Sequence, residues 1–193
     1  MFRLQTNHCK YVFKLEDSKH SIMNYHLLLG SLTEVTLEDI KKLRLVECCI
    51  FEAVRLHSVG VIARKLTEPL QVRGFTIPAG DMLLLSPYWT HRNESVFPDA
   101  NSFIPDRWKE TAAPDKIAAT DNFIAFGGGR FRCPGRRFAM VEIQMFVSVI
   151  LCAFDLELVK MEVPLPSPRH VLGVPHPDSP CYVKMCKRIK NET

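Results

Sequence analysis

A glycine-rich run that ends in a cysteine and opens straight into an apolar stretch constrains this chain more than any other feature. The segment reads Phe126-Gly127-Gly128-Gly129-Arg130-Phe131-Arg132-Cys133-Pro134-Gly135. Three consecutive glycines let the backbone turn tightly and approach a bulky planar ligand that side chains would hold off. Pro134 suits the first position of a helix, so Cys133 is expected near the positive end of the helix that follows, where amides and dipole favour thiolate. Arg130, Arg132, Arg136 and Arg137 act in the same direction. The opposing reading is an inert buried thiol in an ordinary or phosphate-binding loop, and a glycine run with one cysteine would by itself favour it.

The rest of the chain reads as short elements. Residues 1–35 are weakly patterned and are expected to form an atypical or poorly ordered segment. From Thr36 the pattern sharpens: Thr36-Leu37-Glu38-Asp39 resembles a capping box. Leu43, Val46, Ile50, Val54 and His57 then recur at helical spacing, which buries one face and places Glu52 and Arg55 on one helix. Strand-like runs follow at Val59 to Ala63, Leu70 to Val72, Phe75 to Ile77 and, after a Pro78-Ala79-Gly80 turn, Met82 to Leu85. They predict a small antiparallel sheet. From Trp89 to Asn122 the chain is an Asn-, Asp- and Pro-rich meander, anchored by Trp89, Phe97, Phe103 and Trp108. Residues Arg136 to Phe154 are apolar on nearly every side and predict a deeply buried helix. The tail alternates like a hairpin, with His170 to Val174, a turn at Pro175 to Asp178, and Tyr182 to Met185. The fold class expected is mainly α with small antiparallel β-sheets.

Composition removes several functional classes. The seven cysteines are odd in number and form no Cys-x-x-Cys pair, which disfavours a disulfide framework or a zinc ribbon. The histidines form no His-x-x-x-His pair. A net charge of +4 without interleaved aromatic residues argues against nucleic acid as a partner. The opening residues are too polar for a signal peptide and the apolar runs too short to span a bilayer, so no membrane anchor is expected in this chain.

The full order Phe-x-x-Gly-x-x-x-Cys-x-Gly, carried by Phe126, Gly129, Cys133 and Gly135 with Phe138-Ala139 soon after, resembles the cysteine-ligand loop of the cytochrome P-450 family. The resemblance implies that Cys133 is the axial thiolate of haem b iron, a soft donor whose electron push favours O–O cleavage. Two further segments agree with it. Glu52-Ala53-Val54-Arg55 matches the family's Glu-x-x-Arg helix, and Phe103-Ile104-Pro105-Asp106-Arg107-Trp108 matches its Phe-x-Pro-x-Arg segment. Glu52, Arg55 and Arg107 thus resemble a structural triad that locks the meander beneath the haem; an isolated Glu-x-x-Arg would otherwise read as a solvated ion pair. The family commonly takes a propionate-binding arginine from the strand that holds Arg64, with Arg132 a further candidate. It has an arginine two residues before the cysteine, where this chain has Phe131. Val59, Gly60, Val61 and Ile62 correspond to its apolar substrate-facing loop. Arg130, Arg136 and Arg137 correspond to the basic face that receives an electron donor.

By this resemblance the chain is the C-terminal portion of the fold over residues 36–193: Glu-x-x-Arg helix, sheet, meander, ligand loop, long helix and terminal hairpin. No segment in residues 1–35 matches the oxygen-activating distal helix, so no catalytic residue is assigned and a truncated form is expected. The loop, together with Ser86 to Arg92 and Leu172 to Pro175, resembles the sterol 7-alpha-hydroxylating members. They imply hydroxylation of a sterol or oxysterol in bile-acid and cholesterol metabolism at the endoplasmic reticulum membrane, with NADPH used indirectly through a cytochrome reductase. Membrane association is expected of the full-length protein. The alternatives are a non-catalytic fragment or haem-binding module, and a haem-thiolate isomerase needing no electron donor.

Overall fold

The computed structural model describes residues 36–109, 122–160, 164 and 177–188. Helix α1, Leu37–Lys42, starts on the expected capping box: the Thr36 hydroxyl accepts from the Asp39 amide at 3.3 Å, and the Thr36 amide donates to the Asp39 carboxylate at 3.1 Å. At Leu43 the backbone leaves helical geometry (ψ 57°), and α2 runs from Arg44–His57. Leu43, Val46 and Ile50 are buried as the periodicity predicts, and Phe51, Glu52, Arg55 and Leu56 are buried with them.

Four short strands follow: β1 (Ile62–Lys65), β2 (Leu70–Val72), β3 (Phe75–Ile77) and β4 (Met82–Leu85). They form two antiparallel pairs, β1 with β4 and β2 with β3. Strand β1 lies further along the chain than the Val59 to Ala63 expected. Ile62 already pairs with Leu85, the last residue of β4, so nothing stands opposite residues 59–61. The β2–β3 turn places Arg73 (φ 47°) and Gly74 (φ 86°) in the left-handed region, as a tight hairpin requires.

The meander contains the short helix α3 (Pro87–His91) and a 3-10 turn at Pro105–Trp108. Its anchors are Phe97 and Trp108, at 8% and 5% exposure; Trp89, expected to be one of them, is 75% exposed. The core is aromatic at its centre. Phe51, Trp108 and Phe123 pack pairwise with ring centroids 5.4–5.8 Å apart.

Helix α4 spans Arg136–Ala153 and packs on α2 and α1. Its burial differs from the expectation of an apolar helix covered on all sides. The buried stripe is Arg136, Met140, Gln144, Ser148 and Cys152, four residues apart throughout and so on one face. Gln144 is in it because its amide donates to the Ile40 carbonyl at 2.8 Å, closing the open C-terminal end of α1. Phe138 (72%) and Phe146 (67%) stay exposed, with no described element against them. The helix ends at Ala153, where Phe154–Leu158 forms strand β5, antiparallel to β6 at Val183–Lys187. A strand near Tyr182 to Met185 was expected; its described partner is β5, whose Phe-Asp-Leu-Glu-Leu alternation is a strand signal that the apolar run before it conceals. His170 to Val174 and Leu172 to Pro175 lie outside the described residues, as do residues 1–35.

Candidate functional site

The Glu52 carboxylate is fully buried and accepts hydrogen bonds from two arginines, an indole and an amide. Arg55 donates through Nε to Oε2 at 2.9 Å and through Nη2 to Oε1 at 2.8 Å. Arg107 Nε reaches Oε1 at 3.0 Å, the Ile104 amide the same oxygen at 2.9 Å, and Trp108 Nε1 reaches Oε2 at 2.9 Å. Burial alone would raise this carboxyl's pKa; the Arg55 fork, the Ile104 amide and the nearby Arg107 charge outweigh it and hold the group below the usual range. Arg55 spends its remaining donors on the carbonyls of His91 (2.5 Å), Ala100 (2.7 Å) and Ser102 (3.1 Å). Glu52, Arg55 and Arg107 therefore converge as the family resemblance implied. Trp108 and Ile104 complete the network, and only the neighbouring position of Trp108 after Arg107 could have hinted at it.

The cysteine loop sits beside this network. Its base is closed by the Cys133 amide donating to the Phe126 carbonyl at 2.8 Å, and by the Gly127 amide donating to the Ile124 carbonyl at 3.0 Å. Gly127 is in the left-handed region (φ 76°), and a Cβ there would come within 3.1 Å of the Phe131 carbonyl oxygen. Gly129 (φ 57°) carries the second such turn but faces open space. Gly135 is the N-cap of α4, and a Cβ on it would stand 4.0 Å from Cys133 Sγ, an ordinary contact. Gly127→Ala is expected to destabilise the chain by ~1–3 kcal/mol. Gly128→Ala, where nothing lies within 4 Å and φ is negative, is expected to change little, and thermal melts of the two variants check the difference.

Cys133 itself is exposed. Helix α4 begins at Arg136, two residues later than Pro134 suggested, because Gly135 takes the cap; Cys133 precedes the helix instead of lying against its first turn. An open cavity of about 440 Å³ lies on this side, lined by Arg132, Cys133, Pro134, Arg136 and Arg137. Arg130, Arg132 and Arg137 are exposed, whereas Arg136 is 8% exposed and belongs to the buried stripe of α4. The basic face open to solvent is therefore narrower than the four arginines in sequence implied.

Phe131 is the point where the loop meets the sheet. Its ring is 58% exposed, with the Arg64 guanidinium from β1 over it at 4.7 Å and the Arg130 guanidinium also at 4.7 Å. Arg64 in addition donates to its neighbour's carbonyl, Ala63, at 2.8 Å. Two cations from different elements thus gather on the residue that departs from the family pattern. Val59, Gly60, Val61 and Ile62 run half-buried from the end of α2 into the first residue of β1.

Among the described residues no three His, Cys, Asp or Glu side chains are grouped to hold a bare metal ion, and no helix is long and apolar enough to cross a membrane. An exposed thiol with no other metal-ligating side chain grouped with it could hold the iron of a haem, which brings its remaining ligands with it. The cations at Arg64 and Arg132 suit the carboxylates of the group, and the exposed Phe131 ring offers apolar surface. The residues present fit a haem.

Comparison with known proteins agrees with this geometry. The family model described as Cytochrome P450 matches residues 24–185. The chain is 45% identical over 155 residues to the mouse 24-hydroxycholesterol 7-alpha-hydroxylase and 41% identical over 156 residues to the human one. These alignments cover 80% and 81% of the chain but 33% of each relative, so the chain spans about a third of their length. Among solved structures, the retinoic acid bound cyanobacterial CYP120A1 matches at a TM-score of 0.73 and 25% identity, over 90% of this chain and 39% of that one.

Proposed function

The chain belongs to the cytochrome P450 family, and from that premise we propose that it is the haem-binding portion of a monooxygenase acting on a sterol or oxysterol. The observation that carries this reading is the exposed Cys133 thiol, offered from a loop whose backbone is closed by the Phe126 carbonyl. When bound, haem b would supply activation of dioxygen for hydroxylation of a C–H bond. Cys133 would hold the iron. The guanidiniums of Arg64 and Arg132 would meet the carboxylates of the group. Glu52, Arg55 and Arg107 would fix the meander on which the loop rests. Residues 59–62 would face the substrate. The 24-hydroxycholesterol 7-alpha-hydroxylases of mouse and human support an oxysterol substrate; in this proposal the reaction belongs to bile-acid metabolism at the endoplasmic reticulum membrane and draws electrons from NADPH through a reductase.

The test is the reduced, CO-bound absorption spectrum of the chain after addition of haem. A thiolate-type Soret band is expected, and failure to take up haem would overturn the reading. For the electron donor, the exposed Arg130 and Arg137 form the docking face in this proposal, since Arg136 is buried. Reversing both charges to glutamate is expected to slow reduction by the donor roughly tenfold at low salt, with less effect at high salt, because such charges act mainly on encounter. Reduction rates that do not change would remove this face from consideration.

A second reading, a haem-binding module without catalytic activity, is favoured by the exposed side chains of Phe138, Met145, Phe146 and Val149 on α4. Apolar surface of this extent on one helix invites association. Haem uptake without substrate turnover would distinguish it.

A further inference from the structure

His91 is fully buried, at 0% exposure, between α2 and the start of the cysteine loop. The Ile124 amide donates to Nε2 at 3.1 Å, so Nε2 carries no proton. The proton of the neutral ring is therefore on Nδ1, which donates to the Arg55 carbonyl at 3.1 Å. Arg55 returns the bond through Nη1 to the His91 carbonyl at 2.5 Å. The ring also stacks on Phe123 at 5.2 Å, one residue before Ile124. Ile124 is the residue whose carbonyl closes the Gly127 turn, two residues ahead of the Phe126 carbonyl that holds the Cys133 amide.

The geometry points to His91 as the positioning residue of the cysteine loop: its neutral imidazole transmits the location of the Glu52–Arg55 network to Ile124, and so to the turn that presents Cys133. This rests on the haem-thiolate reading only for its functional consequence. The coupling itself is a property of the protein chain. A protonated ring could not accept from Ile124 and would face two cations, Arg55 and Arg92, with Glu52 already engaged by Arg55. Burial holds the imidazole down at about 4; the bond to the Arg55 carbonyl opposes this, and the two guanidiniums add to it. The unfolded chain takes up a proton below the ordinary value of 6.5 while the folded one does not. Stability contributed by the neutral ring is thus complete above about 6.5 and is lost as the pH falls toward 4.

Two substitutions separate positioning from packing. His91→Asn keeps a donor toward Arg55 but loses the acceptor for Ile124; His91→Gln extends a carbonyl to the Nε2 position. Read as protection of the Ile124 amide from hydrogen exchange in the intact chain without haem, His91→Asn is expected to lower protection roughly tenfold, the equivalent of one buried hydrogen bond. His91→Gln is expected to retain most of it, and to remove the fall in Ile124 protection expected of the unsubstituted chain between pH 6.5 and 4. With haem added, the thiolate-type band is expected to weaken in His91→Asn and persist in His91→Gln. Equal effects of the two variants, unchanged Ile124 protection in a folded His91→Asn protein, or failure of both variants to fold would overturn the proposal. Absence of a thiolate band in the unsubstituted chain would instead count against haem ligation, and leaves the exchange result to decide the positioning role.

Discussion

Glu52→Gln is expected to destabilise the fold by about 3–5 kcal/mol, because it leaves Arg55 buried without its counter-charge. The carboxylate and the guanidinium are both at 0% exposure, and Arg107 next to them is at 13%. Glutamine keeps one carbonyl oxygen, yet Glu52 accepts on both oxygens, from Arg55, Arg107, Trp108 and the Ile104 amide. The amide nitrogen that replaces one oxygen would point a donor at other donors. A loss of that size is a large part of the stability of a typical domain, so the variant is expected to unfold at a much lower urea concentration than the unsubstituted chain. Urea unfolding followed by tryptophan emission measures it cleanly. Trp89 is already exposed, so the red shift on unfolding reports Trp108, which bonds directly to Glu52. Glu38 on α1 is the internal control: its pair with Lys41 is exposed at both ends, and Glu38→Gln should change stability by less than ~0.5 kcal/mol. A Glu52→Gln protein as stable as this control would show that the network is not what holds the meander.

Cys133→Ser is expected to abolish the thiolate-type band of the reduced, CO-bound chain while leaving the fold intact. The side chain is exposed and its amide bond to Phe126 is made by the backbone, so serine retains every contact the loop depends on. What serine cannot retain is a soft sulfur donor. The other described cysteines divide into two groups. Burial pushes the thiols of Cys48 and Cys152 up and that of Cys49 up to about 12, which keeps them protonated and inside. Cys181 and Cys186 are exposed but lie at the far strand, β6 and the residues leading into it. Cys181→Ser combined with Cys186→Ser is therefore expected to keep the band. A band that survives Cys133→Ser and disappears in the double variant would reassign the ligand.

The parts of this protein that were legible in its sequence are those in which chemistry is confined to a few neighbouring residues. The Thr36 capping box, the turn glycines, three of the four short strands and the Glu-x-x-Arg pair depend on local spacing, and the structure contains them. The loop ending in Cys133 was legible because tight turning and a lone thiol require particular residue types in one order. The burial of α4 was not. Hydrophobic residues on several faces show that a helix can be covered, but which face is covered depends on what packs there, and here the covered stripe carries Gln144 and Ser148 because the end of α1 needs a donor. Trp89 failed as an anchor for the same reason, since an aromatic side chain buries only where a surface meets it.

The sequence by itself carried the family motifs and, through that resemblance, the ligand candidate and the three charged members of the buried network, since each motif is a set of residue identities in a fixed order. Only the tertiary structure decided how these are joined. It brought Arg64 of β1 onto Phe131 of the loop, withdrew Arg136 from the solvent-facing cations, and set His91 between the Arg55 carbonyl and the Ile124 amide. Such contacts cross long stretches of chain, and their partners include backbone groups, which are the same at every position and leave no mark in a sequence.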